Sequence, residues 1–173
     1  GSFIGKWKTW AYLNFTTPNI FRSEFVKKEL KQIKMSPEEL ANLCHLSDNP
    51  NIKIMNPRIP DNTMRDENKA IPRICFAPST HEAFRAMYSP DLSTKTKALY
   101  LYRISPDQGS IRFLKPSSKL VPDAEDTNEY WVLDPVKVFI SAEFKVYKSG
   151  DKRKNGTRSA HDGRRTGIIK RTI

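Results

Sequence analysis

The chain contains only two cysteines, Cys44 and Cys75, and this scarcity excludes a fold held together by several disulfide bonds. Small secreted domains without a large core depend on such bonds, whereas cysteines in apolar surroundings are typical of buried thiols. Both cysteines lie in apolar segments. We therefore expect free thiols and an intracellular, cytoplasmic protein.

Long hydrophobic runs, glycine-rich loops and metal motifs are missing too. No stretch approaches the roughly 18 apolar residues of a membrane span, so we expect no membrane partner. Seven glycines leave little material for a phosphate-binding loop, and no G-x-G-x-x-G motif occurs. The cysteines and histidines show no C-x-x-C or H-x-x-x-H spacing, so we expect no metal.

Acidic residues are scarce at the C-terminal end, and the net charge of +11 is therefore unevenly distributed. Residues 148–173 contain nine Lys or Arg against two Asp. So few apolar residues cannot offset the entropy lost on ordering, which predicts a disordered tail. The tail suits an acidic macromolecule or nucleic acid, although a merely solubilising tail is the alternative. The candidate polyanion-binding residues are Lys152, Arg153, Lys154, Arg158, Arg164 and Arg165.

Short strands and a few helices are predicted along the rest of the chain. Apolar residues near helical spacing predict a helix within residues 21–35. Ser36 and Ser79 each precede a Glu by three residues, a capping box that predicts two further helices, the second running to about Tyr88. Segment 41–47 is compatible with helix or strand. Strands are predicted at 52–55, 73–77, 98–104, 111–115, 129–134 and 137–147.

This pattern predicts an α+β fold with a mixed, mostly antiparallel sheet. The length of 173 residues suits one domain. We expect an N-terminal extension with a helix at 1–40 packed on a body at 41–147, followed by the basic tail at 148–173. The Pro-rich stretch 48–72 is a long loop, and such loops inside compact domains are often functional.

One residue of the stretch TNEYWVLDPVKVF stands out. The segment alternates apolar side chains as a core strand does, yet Glu129 lies at its entry. A solvated strand end is the ordinary explanation for such a carboxylate. The alternative is that Glu129 points into a cleft.

Three segments, LCHLS, RICFAPSTHEAFRAMY and TNEYWVLDPVKVF, follow one another within about residues 43–147. In this order they resemble the diphtheria-toxin and poly(ADP-ribose) polymerase type of ADP-ribosyltransferase, the H-Y-E class. That family has a His in a short apolar strand, then approximately Gly-Ile-Tyr-Phe-Ala, then a late strand opening with Asn-Glu-Tyr. The matching positions here are His45, residues 74–77 and residues 128–130. The resemblance implies an ADP-ribosyltransferase-like split sheet.

The resemblance also implies that NAD is the substrate, and it assigns roles to individual residues. Glu129 would hold a ribose hydroxyl and stabilise the positive charge that develops as the nicotinamide–ribose bond breaks. His45 on a facing strand would donate a hydrogen bond to the ribose. Arg58 and Arg73, which bracket the Pro-rich loop, would hold the phosphates, with surface salt bridging as the alternative.

Two positions depart from the family pattern. Leu46 replaces a Gly and would crowd the nicotinamide pocket, and Cys75 replaces the Tyr that stacks on the ring, with Phe76 beside it. Either Phe84 or Tyr88 of the following helix takes over the stacking, or the pocket does not bind NAD. The candidate cofactor-binding residues are Arg58, Arg73, Phe76 and Tyr88.

Three functions are therefore compatible with the sequence. The first is an NAD-dependent ADP-ribosyltransferase that modifies an intracellular macromolecule, with His45 and Glu129 as catalytic residues. The second is an inactive fold of the same type, acting as a basic binding or inhibitor module for nucleic acid or a protein associated with it. The third is an unrelated nucleic-acid-binding protein, in which the aromatic and basic segment KWKTWAYLNF stacks on bases.

Overall fold

The computed structural model describes residues 28–61, 63–87, 97–148 and 166–172. Each of the two capping serines begins a helix, as predicted: Ser36 accepts from the Glu39 amide at 3.1 Å, and Ser79 from the Glu82 amide at 3.2 Å. The helices are α1 (Pro37–Asn42), α2 (Thr80–Ala86) and α3 (Ala124–Thr127). The strands are β1 (Leu30–Ile33), β2 (Cys44–Ser47), β3 (Ile54–Met55), β4 (Ile74–Phe76), β5 (Lys97–Ile104), β6 (Phe113–Pro116), β7 (Tyr130–Val132), β8 (Val136–Lys148) and β9 (Thr166–Thr172).

These strands form two antiparallel sheets, so the predicted α+β class is confirmed. One sheet has the order β1-β6-β7-β4, and the other has the order β2-β5-β8-β3 with β9 paired to β8. The sheets are joined at a backbone bridge between Cys44 of β2 and Ala77, which follows β4. That bridge brings β2, β4 and β7 side by side, and these are the strands that carry the three resembling segments.

Three apolar clusters form the core. The outer cluster covers one face of the four-stranded sheet with Trp131 and Leu114. The central cluster joins the two sheets, since it contains Phe76 of β4 and Tyr102 of β5. The helix cluster packs Ala83 of α2 against the five-stranded sheet. Both faces of β4 are therefore in contact with core.

Two elements differ from the sequence predictions. The helix predicted within 21–35 is confirmed at Lys28 and Glu29 and wrong for Leu30–Ile33, which is strand β1; residues 21–27 lie outside the described part. Leu30 and Ile33 are three apart, as on a helix face, but pairing with β6 overrides that local signal. The boundary expected at residue 40 consequently leaves β1 in the extension although it pairs within a sheet of the body.

The sequence predicted a basic tail that is disordered throughout, and this prediction is wrong for Thr166–Thr172. Thr166–Thr172 forms β9 and pairs with the long strand β8, so backbone pairing orders a segment of low apolar content. The six candidate polyanion-binding residues lie outside the described residues. Segment 41–47, left open between helix and strand, divides: α1 ends at Asn42 and β2 begins at Cys44. Within the described residues, no helix is long and apolar enough to cross a membrane.

Candidate active site

The imidazole of His45 lies where β2 and β4 separate. At the bridge, the backbones of Cys44 and Ala77 exchange hydrogen bonds of 2.9 and 2.8 Å. One residue further along β2, His45 Nδ1 lies 2.7 Å from the carbonyl oxygen of Cys75, and the ring meets Phe76 edge-on. A side chain thus satisfies a strand carbonyl that a neighbouring backbone amide would otherwise satisfy, and the two sheets diverge at His45.

This contact determines which nitrogen of His45 carries the proton. A carbonyl oxygen only accepts, so Nδ1 must donate to Cys75. Burial lowers the pKa of His45 below its ordinary value, as does the charge of Arg58, while the Cys75 carbonyl acts in the opposite direction. The ring is therefore neutral at neutral pH, and Nε2 is an acceptor without a partner among the described residues. The geometry favours an acceptor role for His45 in place of the expected donor role.

A residue with a left-handed backbone conformation, Asn128, places Glu129 immediately before β7. Asn128 ends α3 with a φ of 50°, a conformation that Asn tolerates better than most residues. Its Nδ2 atom lies 3.3 Å from Glu82 Oε1 on α2. The chain consequently changes from helix to strand over residues 128 and 129, and Glu129 is the last residue before β7.

Glu129 is not a solvated strand end. It lies two residues before Trp131, on the same face of the strand, and Trp131 Nε1 donates to its Oε1 atom at 2.8 Å. Burial raises the pKa of Glu129 above its ordinary value, and the Trp131 hydrogen bond opposes this. The carboxylate is half-buried. Its charge is therefore kept in a partly desolvated place, where electrostatic interactions are strong.

Cys75 lies between the two candidate catalytic residues. Its carbonyl contacts His45, and its side chain shares a face of the sheet with Trp131, its pairing partner in β7. Burial, followed by the negative charge of Glu129, raises the pKa of the Cys75 thiol to about 12. Such a thiol stays protonated at neutral pH, so Cys75 is not an activated nucleophile.

The two candidate catalytic residues, His45 and Glu129, do not lie on adjacent strands. Strand β4 separates β2 from β7, because it pairs with β7 and meets β2 at the bridge. Glu129 lies on the face of the outer cluster with Trp131, whereas the His45 ring meets Phe76 of the central cluster. The two side chains are thus on the two sides of β4, at the end where the sheets diverge.

Arg73 is an interior residue. Its side chain is 0% exposed and forms an ion pair with Glu67. Its Nη1 atom donates to the carbonyl oxygens of Asn68 and Ile71 at 2.9 and 3.0 Å, and its guanidinium lies 4.2 Å from the ring centroid of Trp131. Arg73 therefore has no surface on which a dinucleotide phosphate can lie in this conformation.

Arg58 has the opposite environment. Its side chain is 66% exposed and pairs with the still more exposed Asp61 at 2.8 Å, although its backbone is bridged to that of Arg73. Its charge acts on His45. Of the two predicted phosphate ligands, only Arg58 is accessible in the described structure.

The remaining aromatic candidates are packed inside or undescribed. Phe76 is fully buried, and Phe84 packs edge-on against Phe144 at 4.8 Å between ring centroids; Tyr88 lies outside the described residues. Leu46 is directed into the helix cluster. Its side chain therefore does not point to the place beside His45 where the two sheets diverge, and the crowding that the sequence suggested does not occur there.

Sequence reasoning missed Glu67, Trp131 and Lys115. The Lys115 ammonium lies 4.5 Å from the ring centroid of Tyr130, and burial lowers its pKa while the charge of Glu129 opposes that. The available signal was the alternation of side chains along a strand, since residues two apart lie on the same face. Trp131 is two residues from Glu129, and Cys75 is two from Arg73. The partner Glu67 had no local signal, since it comes from an irregular loop.

The side chains at the end of β4, where the two sheets diverge, can act through hydrogen bonds and charge. Within the described residues, no group of three or more Cys, His, Asp or Glu side chains is placed to hold a metal ion. A neutral histidine acceptor, a half-buried carboxylate and an exposed arginine are present. This set suits the binding of a hydroxylated, anionic ligand and the stabilisation of positive charge on it.

Fold and site together define a mixed α+β protein with two antiparallel sheets and a half-buried carboxylate, Glu129, immediately before β7. Comparisons of the chain with protein families, curated proteins and solved structures found no match. Its activity is therefore a matter for proposal from the residues and their geometry.

Proposed function

We propose that the chain is an NAD-dependent ADP-ribosyltransferase-like protein that transfers ADP-ribose to an intracellular macromolecule. The observation that carries the proposal is the spatial order β2-β4-β7. It brings together the His-containing strand, the Ile-Cys-Phe-Ala strand and the Asn-Glu-Tyr strand, the three segments on which the resemblance depends.

Glu129 is proposed as the catalytic carboxylate. As the bond from the ribose C1′ to the nicotinamide nitrogen breaks, nicotinamide leaves with the electron pair and the ribose acquires oxocarbenium character. A carboxylate in a desolvated place stabilises that charge far better than one in water. The acceptor's nucleophile then bonds to C1′ and releases its proton. The half-buried position of Glu129 and its anchor on Trp131 support this role.

His45 is proposed to bind the ribose. Its Nε2 atom accepts from a ribose hydroxyl, because Nδ1 is already used by the Cys75 carbonyl. Arg58 is proposed to attract the pyrophosphate by charge. Phe76 and Phe84 are packed in the core, so the stacking role stays with Tyr88 in the proposal.

The alternative is an inactive module of the same type that binds nucleic acid or a nucleic-acid-associated protein. The burial of Arg73 and Phe76 favours it, since two of the four predicted NAD contacts face inward. The placement of His45 and Glu129 on the two sides of β4 favours it as well, since the transferase requires both side chains at one ribose. The orientation of Leu46 into the core favours the enzyme. Both proposals are compatible with the same fold.

Labelled NAD separates the two. We expect the full chain, incubated with NAD carrying label on the adenylate and with cell lysate, to release nicotinamide and to label a macromolecule. Nicotinamide release with the label remaining in free ADP-ribose indicates hydrolysis. If millimolar NAD is neither bound nor cleaved, the transferase is excluded and the binding module remains.

The tail is proposed to bind the acidic macromolecule or nucleic acid. We expect deletion of 148–173 to flatten the salt dependence of binding, because each phosphate neutralised contributes a slope of about −0.9 for duplex DNA or about −0.7 for single strands. The measurement is the log of the affinity against the log of the salt concentration. Since the deletion also removes β9, a second variant should replace Lys152, Arg153 and Lys154 by Ser and keep the strand. An unchanged slope in both variants contradicts the proposal.

A further inference from the structure

The buried ion pair of Arg73 and Glu67 is not explained by substrate binding. Both groups are withdrawn from solvent, at 0% and 10% side-chain exposure. Taking two charges out of water is costly, and apolar residues of similar volume often give equal or greater stability. A buried pair of this kind is therefore weak evidence for a stabilising role and calls for another explanation.

The pair is connected to Glu129 through Trp131. The Arg73 guanidinium lies 4.2 Å from the centroid of the indole ring, and the indole N–H donates to Glu129 Oε1 at 2.8 Å. Two backbone carbonyls, those of Asn68 and Ile71, hold the guanidinium in place. A contiguous set of contacts thus runs from an interior ion pair to the proposed catalytic carboxylate.

The loop that carries Glu67 is itself anchored. Glu67 Oε2 accepts from the Met64 amide at 2.8 Å, and the Asn68 amide donates to the Leu120 carbonyl at 2.7 Å. Asn68 Oδ1 accepts from two further amides, those of Ala70 and Ile71. The acid of the pair is therefore held in register by backbone contacts on both of its sides.

We propose that Arg73 and Glu67 are positioning residues for Glu129, acting through the indole of Trp131. The proposal rests on the proposed function for its catalytic meaning, but not for its physical content. Arg73 holds the plane of the indole and supplies a positive charge near Glu129. Glu67 limits that charge, so the carboxylate is anchored without being neutralised by a direct salt bridge.

The charges around Glu129 give this arrangement a measurable signature. After burial, the causes that change its pKa are the Trp131 hydrogen bond and Arg73, which lower it, and Glu67 and Asp123, which raise it. Removing the positive charge of Arg73 should therefore raise the pKa of Glu129, and removing the negative charge of Glu67 should lower it. The titratable or charged groups that face Glu129 are Glu67, Arg73, Cys75, Lys115 and Asp123.

Trp131 provides a readout that does not depend on activity. The chain has three tryptophans, so replacing Trp7 and Trp10 by Phe leaves Trp131 as the single indole. Its fluorescence should change as Glu129 titrates, and Glu129→Gln should abolish that change. In this background we expect the titration midpoint to move down in Glu67→Gln and up in Arg73→Met.

Matched controls lie in the same loop. Asp66→Asn and Arg65→Lys change exposed neighbours and should leave the midpoint unchanged. The double variant Glu67→Gln with Arg73→Met removes both charges together, which keeps the interior free of an unpaired charge. Its midpoint should lie above that of Glu67→Gln, and this comparison remains available if Arg73→Met does not fold.

Activity supplies a second, separate readout. Arg73→Lys keeps the charge but loses the planar group that stacks on the indole, and a displaced catalytic group can lower the rate about 100-fold. We expect kcat to fall with KM unchanged, because Arg73 does not reach the surface. A raised KM with unchanged kcat would indicate a phosphate contact and overturn the positioning role.

The two proposals fail in different ways. If the midpoints move in opposite directions but the parent protein does not cleave NAD, the proposed function fails and the positioning of Glu129 stands. If NAD is cleaved while the midpoints of Glu67→Gln, Arg73→Met and the double variant equal that of the parent, the enzyme stands and the positioning role is overturned.

Discussion

Replacing Glu129 by Gln is expected to lower NAD cleavage about 10²–10³-fold, which corresponds to roughly 3–4 kcal/mol of transition-state stabilisation. Gln keeps the shape and can still accept from the Trp131 N–H, so the contact at 2.8 Å survives. The charge that faces the developing cation is lost. Because that charge acts chiefly in the transition state, binding of NAD itself should weaken much less than turnover. The measurement is nicotinamide release at saturating NAD together with the dissociation constant.

The matched control is Glu125→Gln. Glu125 lies four residues earlier on α3 and is exposed, so the same chemical change there should leave turnover unaltered. Equal losses in the two variants would contradict the catalytic role of Glu129. Loss of nicotinamide release together with loss of the folded structure would show that Glu129 supports the fold instead.

The pH dependence of stability shows whether Glu129 acts in catalysis or supports the fold. A carboxyl whose pKa is raised on folding binds its proton more tightly when folded, so stability falls as pH rises from the unfolded towards the folded pKa. Burial raises the pKa of Glu129 in this way. Glu129→Gln should therefore cause no loss of stability at neutral pH, and the difference in melting temperature from the parent should shrink in acid.

Arg73→Met is expected to cost about 3–5 kcal/mol of unfolding free energy. The change leaves the carboxylate of Glu67 in the interior without its partner and removes the cation from the face of Trp131. Urea denaturation followed by circular dichroism measures the loss. Adding Glu67→Gln should restore most of it, since a neutral amide does not need a charged partner.

A second arginine–carboxylate pair provides the control. Arg58 and Asp61 form an ion pair at 2.8 Å with both side chains exposed, and such pairs contribute less than about 1 kcal/mol. Arg58→Met should therefore barely change the denaturation midpoint. If Arg58→Met and Arg73→Met cost the same, burial is not what gives the Arg73 pair its large effect.

The local patterns predicted most of the elements. Ser36 and Ser79 begin helices because their side chains satisfy amides of the first turn, and this depends on neighbours in sequence. The strand predicted at 98–104 lies in β5, which pairs with β8 along its whole length, because aliphatic and aromatic residues that favour strands follow one another there. The same reasoning wrongly predicted a helix at Leu30–Ile33. Two apolar residues three apart fit a helix, but this segment pairs with β6 as a strand.

The residues of the candidate site were likewise predictable from the sequence only in part. Glu129 and His45 were singled out because their types and order suggest a chemistry. Arg58 and Arg73 were indistinguishable from sequence, as both are arginines next to prolines at the ends of one loop. The structure separates them by burial, exposed at one end and interior at the other. That outcome depends on which face of β4 the residue takes and on what packs against it.

The sequence alone determined the types of most elements, their order and the charge of the tail, because capping, alternation and composition act between neighbours along the chain. Only the tertiary structure decided that β4 lies between His45 and Glu129, that Glu67 meets Arg73, and that β9 closes against β8. These contacts join residues whose sequence separation carries no periodic signal. They form because the strand pairing buries a shared face, which exists only once the sheets are assembled.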